Sequence, residues 1–273
     1  MVNQHRTTQR YRAITPDNEK QLVKHMLDFA RTHPRYGYRR ITALMRRAGW
    51  TVNKKRIQRL WREQGLKVPQ KQHKKRRFGS SANGCTRRKA EYRDHVWTYD
   101  VVFDRTDDGR TLKFLTVIDE FTRECLALPV GRHFTSQNVI GVLAGIVAQR
   151  GAPAMIRSDN GPEFVAVAIR AWFARTGIAT AYIEPGSPWE NAYIETFNGK
   201  LRDALLQREI FMTVAEAKHL ATGFRFEYNN NRPHSSLGYK TPREFAAGCA
   251  PFGSASLRLR AHTRTVSQPV SLS

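Results

Sequence analysis

Three carboxylates stand out because their residue type and spacing suit the binding of divalent metal ions. Asp100 lies inside a run of strand-forming residues, Asp159 follows a short apolar segment, and Glu195 lies in a long helical segment. The 35 residues between Asp159 and Glu195 have room for a helix, a strand and a turn that return the glutamate to the strand ends. Carboxylate oxygens suit Mg²⁺ or Mn²⁺ better than zinc, and three of them can hold two ions roughly 3.5 to 4 Å apart. One ion would activate the attacking oxygen and the other would stabilise the departing one, so no protein nucleophile is required.

Each carboxylate taken alone also has a structural explanation. Asp100 shares a strand face with Thr98 and Val102, where a buried carboxylate costs several kcal/mol unless a metal ion or an ion pair compensates it. Asp159 begins an Asp-Asn-Gly sequence, which is favourable turn chemistry by itself. Glu195 could be a solvated helical residue like most glutamates. The three together, at this interval, are more specific than any one of them.

The segments around these carboxylates predict the elements that position them. Alternating apolar residues predict an antiparallel meander of three strands, Val96–Phe103, Thr111–Ile118 and Glu124–Val130. There follow a helix (Ser136–Gln149), a strand (Ala154–Ser158), a helix (Glu163–Thr176), a strand (Ile178–Ile183) and a long helix (Pro188–Leu206). This order predicts an α/β fold, a ribonuclease-H-like mixed sheet flanked by helices.

The front of the chain has a different pattern. Between Asn18 and Leu66 apolar residues recur at helical spacing in three short blocks, which predicts a small all-α domain of helix-turn-helix type. Its third helix carries five basic side chains around an apolar stripe: Lys54, Lys55, Arg56, Arg59 and Arg62. Such a helix could lie in a DNA groove, and the alternative is a solvated basic helix.

A basic segment without apolar periodicity joins the two patterns. It includes Lys74, Lys75, Arg76 and Arg77, which could neutralise phosphates without reading sequence, although a plain flexible linker is the alternative. The predicted organisation is a helix-turn-helix-like DNA-binding domain over 1–67, a basic linker over 68–93, a catalytic core over 94–248 and a loosely ordered tail over 249–273.

Charge and composition narrow the partners and the compartment. The chain carries a net charge of +23, of which residues 1–95 contribute +20, so a nucleic acid is the expected partner. The three cysteines form no CxxC pair and no disulfide framework. No apolar run is long enough to span a bilayer and no signal peptide is recognisable, which predicts a cytoplasmic protein without membrane contact.

Four sequence blocks, in order, carry a family resemblance. They are His33-Pro34-Arg35-Tyr36-Gly37-Tyr38-Arg39-Arg40-Ile41, Ser158-Asp159-Asn160-Gly161-Pro162-Glu163-Phe164, Gly186-Ser187-Pro188-Trp189-Glu190-Asn191 leading to Glu195-Thr196-Phe197-Asn198, and Tyr228-Asn229-Asn230-Asn231-Arg232-Pro233-His234-Ser235-Ser236-Leu237. With these blocks the chain resembles the second-frame (OrfB) transposases of insertion sequence family 3, within the DDE superfamily of transposases and retroviral integrases.

The resemblance implies roles for individual residues. Asp100, Asp159 and Glu195 take the family's catalytic, metal-binding positions for two Mg²⁺ ions, with Mn²⁺ as a substitute. Arg202 takes a basic position two helical turns past the glutamate that contacts DNA, and the neighbouring Lys200 is expected to contribute there. Water would cleave at the element's ends to expose a 3′ hydroxyl, which then attacks another strand. The DNA partners would be terminal repeats and target DNA, with the chain assembled as a homo-oligomer on them.

The sequence departs from its relatives in two respects. It has no paired-His, paired-Cys zinc module such as retroviral integrases carry. It also shows no heptad run, whereas members of the family are usually fused by frameshifting to an upstream reading frame (OrfA) that supplies a coiled coil. An upstream partner is therefore expected. The alternatives to a transposase are a nuclease of the same fold without strand joining and a non-catalytic DNA-binding protein.

Overall fold

The computed structural model describes residues 18–68, 89–158, 167–182 and 191–249. The chain forms two compact units, one ending at Arg76 and the other beginning at Arg77. Most of the predicted linker and nearly all of the predicted tail lie outside the described residues, so the domain boundaries stay predictions. Among the helices of the described ranges, none is long and apolar enough to cross a membrane.

The described part of the first unit consists of three helices, as the sequence predicts. They are α1 (Glu19–Thr32), α2 (Tyr38–Arg47) and α3 (Lys54–Glu63). Their apolar stripes meet in one core, whose fully buried members include Leu22, Met26, Ile41, Met45 and Ile57. The turn before α3 ends at Asn53, whose side chain accepts hydrogen bonds from the backbone N–H groups of Lys55 (2.6 Å) and Arg56 (3.2 Å). This N-cap contributes about 1 kcal/mol and fixes where α3 begins.

The second unit is built on a mixed sheet with helices on both faces. Its strands are β1 (Val96–Arg105), β2 (Thr111–Asp119), β3 (Cys125–Ala127), β4 (Val130–Gly131), β5 (Met155–Ser158) and β6 (Ala179–Tyr182). Its helices are α4 (Ser136–Arg150), α5 (Val167–Thr176), α6 (Ala192–Leu201), α7 (Val214–Asn230) and α8 (Pro242–Ala247). The sheet order is β3-β2-β1-β5-β6, with β4 also paired to β2; β1 runs antiparallel to β2 and parallel to β5.

Alternation along β1 sends its side chains into two separate cores. Trp97, Tyr99 and Val101 pack with residues of α4 and α5 on one face. Val102, on the opposite face, packs with residues of α6 and α7. Asp100 lies two residues before Val102 on β1, so its side chain is on the same face of the sheet as Val102. That is the face that α6 covers.

The structure also differs from the expected elements. The predicted third strand is divided into β3 and β4, with Leu128 and Pro129 between them. A separate register shift with β2, between Val117 and Ile118, lies within β3. The predicted long helix is α6 followed by a wider π-helical turn, Arg202–Leu206; the beginning of that prediction lies outside the described residues. The helices α7 and α8 have no counterpart in the sequence-based expectation.

Candidate active site

Asp100 is half-buried in the centre of β1 and its carboxylate is held by hydrogen bonds. Oδ1 accepts the backbone N–H of Val101 at 2.7 Å, and Oδ2 accepts the side-chain amide of Asn198 at 2.6 Å. Its backbone carbonyl also accepts the hydroxyl of Thr116, the residue opposite it on β2, at 3.1 Å. The carboxylate therefore has a defined position between strand and helix.

Asn198 was not identified as a site residue from the sequence. Its side chain is 2% exposed, and Oδ1 accepts no hydrogen bond from any described residue. The amide lies on α6, three residues after Glu195. The signal that could have found it is its place in Glu195-Thr196-Phe197-Asn198, where a buried asparagine on an otherwise apolar helix face needs a polar partner.

Glu195 lies in the first turn of α6 and is exposed, whereas its neighbours Ile194 and Phe197 are buried. Residues three apart on a helix have Cβ atoms about 5 to 6 Å from each other. The contact of Asn198 with Asp100 therefore places the turn that carries Glu195 beside the Asp100 strand. Two of the three predicted carboxylates belong to adjoining elements.

Asp159 lies outside the described residues. The strand that precedes it, β5, pairs in parallel with β1, and Thr98 is opposite Arg157. Within the described residues no group of three His, Cys, Asp or Glu side chains is placed to hold a metal ion. The prediction of a triad stays a prediction.

A buried ion pair lies on the sheet face of Asp100, between Glu120 and Arg157, which is two residues before Asp159 in the sequence. The Arg157 guanidinium Nη1 donates to Glu120 Oε1 at 2.8 Å and to Oε2 at 3.0 Å, and the Thr98 hydroxyl donates to the same carboxylate. Arg157 and Glu120 are 4% and 1% exposed. This cluster connects β1, β5 and the turn after β2.

The last residue of β2, Asp119, is a second buried carboxylate next to that turn. Burial raises the pKa of Asp119 to about 6, although hydrogen bonds from Thr122 and the Phe121 amide oppose the shift. Its Oδ2 accepts the Thr122 hydroxyl at 2.6 Å. These contacts indicate that Asp119 shapes the turn that carries Glu120.

The predicted DNA-contacting residues have different environments. Arg202 is exposed at the start of the π-helical turn, and the Lys200 ammonium lies 5.7 Å from the ring centroid of Tyr228. In the first unit, Arg56 and Arg59 bind Glu19, and Lys54, Lys55 and Arg62 are exposed, as is Arg59. The linker residues Lys74, Lys75, Arg76 and Arg77 lie outside the described residues.

Comparisons with known proteins agree with this organisation. A family model for an HTH-like domain matches residues 17–76, and two models for an integrase core domain match residues 90–188 and 176–242. The chain is 39% identical over 233 residues to an uncharacterized 31.7 kDa protein of insertion element IS407 from Burkholderia multivorans, covering 85% of this chain and 83% of that relative. It is 30% identical over 227 residues to the transposase InsD of insertion element IS2 from Escherichia coli, covering 78% of this chain and 73% of that protein. The chain belongs to the insertion sequence family 3 transposases.

One further relative supports the same assignment. An uncharacterized 39.2 kDa protein of insertion element IS476 from Xanthomonas euvesicatoria is 40% identical over 226 residues, which are 83% of this chain and 64% of that longer relative. A cryo-EM structure of a simian T-cell lymphotropic virus intasome, in complex with a PP2A regulatory subunit, is similar with a TM-score of 0.52 and 17% identity, covering 91% of this chain and 80% of that one. This last similarity confirms the fold alone. The transposase is thus of the DDE type, with the ribonuclease-H-like fold predicted from its sequence.

Proposed function

We propose that the chain catalyses metal-dependent phosphodiester cleavage and strand transfer at the ends of its own insertion sequence, through Asp100, Asp159 and Glu195. The observation that carries the proposal is the 2.6 Å hydrogen bond from Asn198 to Asp100. It ties the helix of Glu195 to the strand of Asp100, and an integrase core model matches the region of each carboxylate.

The described residues fit a hard divalent cation. The carboxylate of Asp100 accepts hydrogen bonds from two neutral donors that hold it in place, and carboxylate oxygens are the ligands that hard divalent cations prefer. Glu195 is exposed and can turn toward a cation without leaving a buried partner. When bound, two Mg²⁺ or Mn²⁺ ions would activate the attacking oxygen and stabilise the departing one. The residues of the chain supply the oxygen ligands and hold them in place.

DNA is the proposed substrate and partner, in the form of terminal repeats and target DNA. The net charge of +20 on residues 1–95 supports this, because each phosphate neutralised by Lys or Arg releases counterions. We also propose assembly as a homo-oligomer on DNA and cooperation with an upstream-frame (OrfA) partner.

The test is strand cleavage and joining on a labelled duplex that carries the element's own end, with Mg²⁺ or Mn²⁺. We expect Asp100→Asn, Asp159→Asn and Glu195→Gln each to lose about a hundredfold or more of both activities while retaining DNA binding, since metal catalysis supplies several kcal/mol. Asp203→Asn is the matched control, because Asp203 is an exposed carboxylate that follows the same helix. It should retain activity.

Other outcomes would separate the alternatives. Cleavage without joined products would indicate a nuclease of the same fold. Full strand joining by Glu195→Gln would disprove the mechanism. Tight DNA binding without any cleavage would call for the same assay with the fused upstream frame; continued inactivity there would indicate a binding-only protein.

A further inference from the structure

The five basic side chains of α3 are not equivalent, because an acidic residue of α1 engages two of them. Arg56 Nη2 lies 2.9 Å from Glu19 Oε2, and Arg59 Nη2 lies 3.0 Å from Glu19 Oε1. The other terminal nitrogen of Arg59, Nη1, lies 2.8 Å from Glu63 Oε1, one turn further along α3. Arg59 thus bridges two carboxylates, and Arg56 and Arg59 share one.

Glu19 is suited to hold these arginines. It lies in the first turn of α1, and its side chain is only 12% exposed. Burial by itself raises the pKa of Glu19, but the hydrogen bonds and positive charges of Arg59 and Arg56 outweigh it and leave the pKa below its usual value. The carboxylate is therefore ionised at neutral pH, and its charge is directed at α3.

The remaining polar residues of α3 form a different face. At about 100° per residue, Lys54, Gln58, Arg62 and Lys55 occupy roughly 100° of the helix circumference. The three basic residues are exposed and Gln58 is half-exposed. None of the three forms an ion pair with an acidic residue in the described ranges, in contrast to Arg56 and Arg59 on the adjoining side of the helix.

We infer that Lys54, Lys55, Gln58 and Arg62 form the DNA-reading face of α3, and that Glu19 determines specificity by withholding Arg56 and Arg59 from DNA. The inference rests on the proposed DNA-binding function and narrows the five basic residues predicted from the sequence. Lys and Arg on this face would bind phosphates and fix the register, whereas a Gln side chain can pair with the N6 and N7 edge of an adenine.

The ion pairs with Glu19 explain why Arg56 and Arg59 would differ from Lys54, Lys55 and Arg62 in DNA binding. Moving Arg56 or Arg59 to a phosphate would exchange one ion pair for another and remove one of the two partners of the largely buried Glu19, which is costly. Lys54, Lys55 and Arg62 break no such pair when they bind a phosphate. Their binding therefore gains the full effect of counterion release.

The experiment compares two double variants of one helix in the full-length protein. Affinity for a terminal-repeat duplex and for a scrambled duplex of equal length is measured as a function of salt concentration. We expect Lys55→Gln with Arg62→Gln to reduce the slope of log K against log salt by about two, one for each lost phosphate contact. Arg56→Gln with Arg59→Gln, the matched control, should leave the slope unchanged.

Two further variants keep the test decisive if the control pair destabilises the first unit. Glu19→Gln retains every basic residue and releases Arg56 and Arg59, so it should steepen the salt slope and reduce the preference for the terminal repeat. Gln58→Ala should leave the slope unchanged and reduce the preference for the terminal repeat by about 5- to 150-fold, the value of one bidentate base contact. Circular dichroism melting of each variant reports whether the fold is retained.

The outcomes distinguish the inference from the proposed function. Equal loss of slope in the two double variants, or an unchanged slope and preference in Glu19→Gln, would overturn the inference while leaving DNA binding established. A wild-type protein that binds neither duplex would overturn the DNA-binding function and the inference with it. The wild-type protein could bind DNA and prefer the terminal repeat while neither double variant changes the slope. That outcome would refute only the assignment of this helix face to DNA binding.

Discussion

At the scale of single residues, Asn198 has the clearest unassigned role. Its amide nitrogen donates to the Asp100 carboxylate, and the side chain is almost completely buried. A donor placed against one ligand oxygen fixes the direction in which the other lone pairs of that carboxylate point. We expect Asn198 to be a positioning residue for Asp100, the carboxylate proposed to bind metal, and not a ligand itself.

Replacing Asn198 tests that role. Asn198→Ala should raise the Mg²⁺ concentration for half-maximal cleavage by about 10- to 100-fold, because residues that orient metal ligands contribute that much to affinity. Mn²⁺ binding measured by titration calorimetry should weaken in parallel, which a loss of DNA contact alone would not cause. Asn230→Ala, at the end of α7, serves as the control. An unchanged metal requirement in Asn198→Ala would show that the hydrogen bond only stabilises packing.

The sequence around such a residue can show that it has a special role, but it does not show which distant residue it contacts. Asp100 is recognisable because an aspartate in a strand-forming run needs compensation, and Asn53 is recognisable as an N-cap. The partner of Asp100 is 98 residues away in the sequence, and Glu19 is 37 and 40 residues from Arg56 and Arg59. These pairs form only through tertiary packing. The sequence alone therefore could not distinguish Arg56 and Arg59 from the other three basic residues of α3.

At the scale of elements, the helices that the sequence did not reveal have weak apolar patterns. The buried positions of α7 include Ala217 and Ala221, whose small side chains hide the helical period. A capping signal was nevertheless present. The Thr213 side chain accepts a hydrogen bond from the Glu216 backbone at 3.1 Å, and Thr241 with Glu244 forms a full capping box before α8. Threonine followed by glutamate three residues later would have predicted both helix starts.

The buried Arg157–Glu120 pair connects the elements that lead to two of the carboxylates. Removing one partner leaves an uncompensated buried charge, so Arg157→Met or Glu120→Leu should each lower the free energy of unfolding by about 3 to 5 kcal/mol. The double variant should recover most of that loss, because it leaves neither charge unpaired. Urea unfolding followed by tryptophan fluorescence measures the effect, since Trp97 is fully buried in the neighbouring core.

An exposed pair provides the control for this cycle. Arg31 and Asp28 lie 3.4 Å apart with side chains 78% and 52% exposed, so breaking that pair should cost less than about 1 kcal/mol. If the double variant at Arg157 and Glu120 were as unstable as the single variants, the hydrogen bond from Thr98 and local packing, and not charge compensation, would account for the stability of the cluster.

At the scale of the whole molecule, positive charge and carboxylate chemistry lie in different parts of the chain. Residues 1–95 carry nearly all of the net charge, whereas the three predicted catalytic carboxylates follow them. This separation means that attraction to DNA and catalysis can be altered independently. Variants of the front part should change affinity and its salt dependence, and variants of the carboxylates should change the rate at saturating DNA.

The linker residues Lys74, Lys75, Arg76 and Arg77 offer the sharpest test of this separation. Replacing all four with Gln should reduce the slope of log K against log salt by about 3 to 4, since each phosphate contact contributes about 0.9. Affinity for the terminal repeat and for a scrambled duplex should fall by the same factor, because phosphate contacts carry no sequence information. Cleavage at saturating DNA should remain at the wild-type rate. The exposed residues Arg175, Arg208, Lys218 and Lys240 of the second unit, replaced together with Gln, control for the change in net charge. A selective loss of affinity for the terminal repeat would instead mean that the linker reads sequence, and a lower rate at saturating DNA would mean that it takes part in placing the substrate.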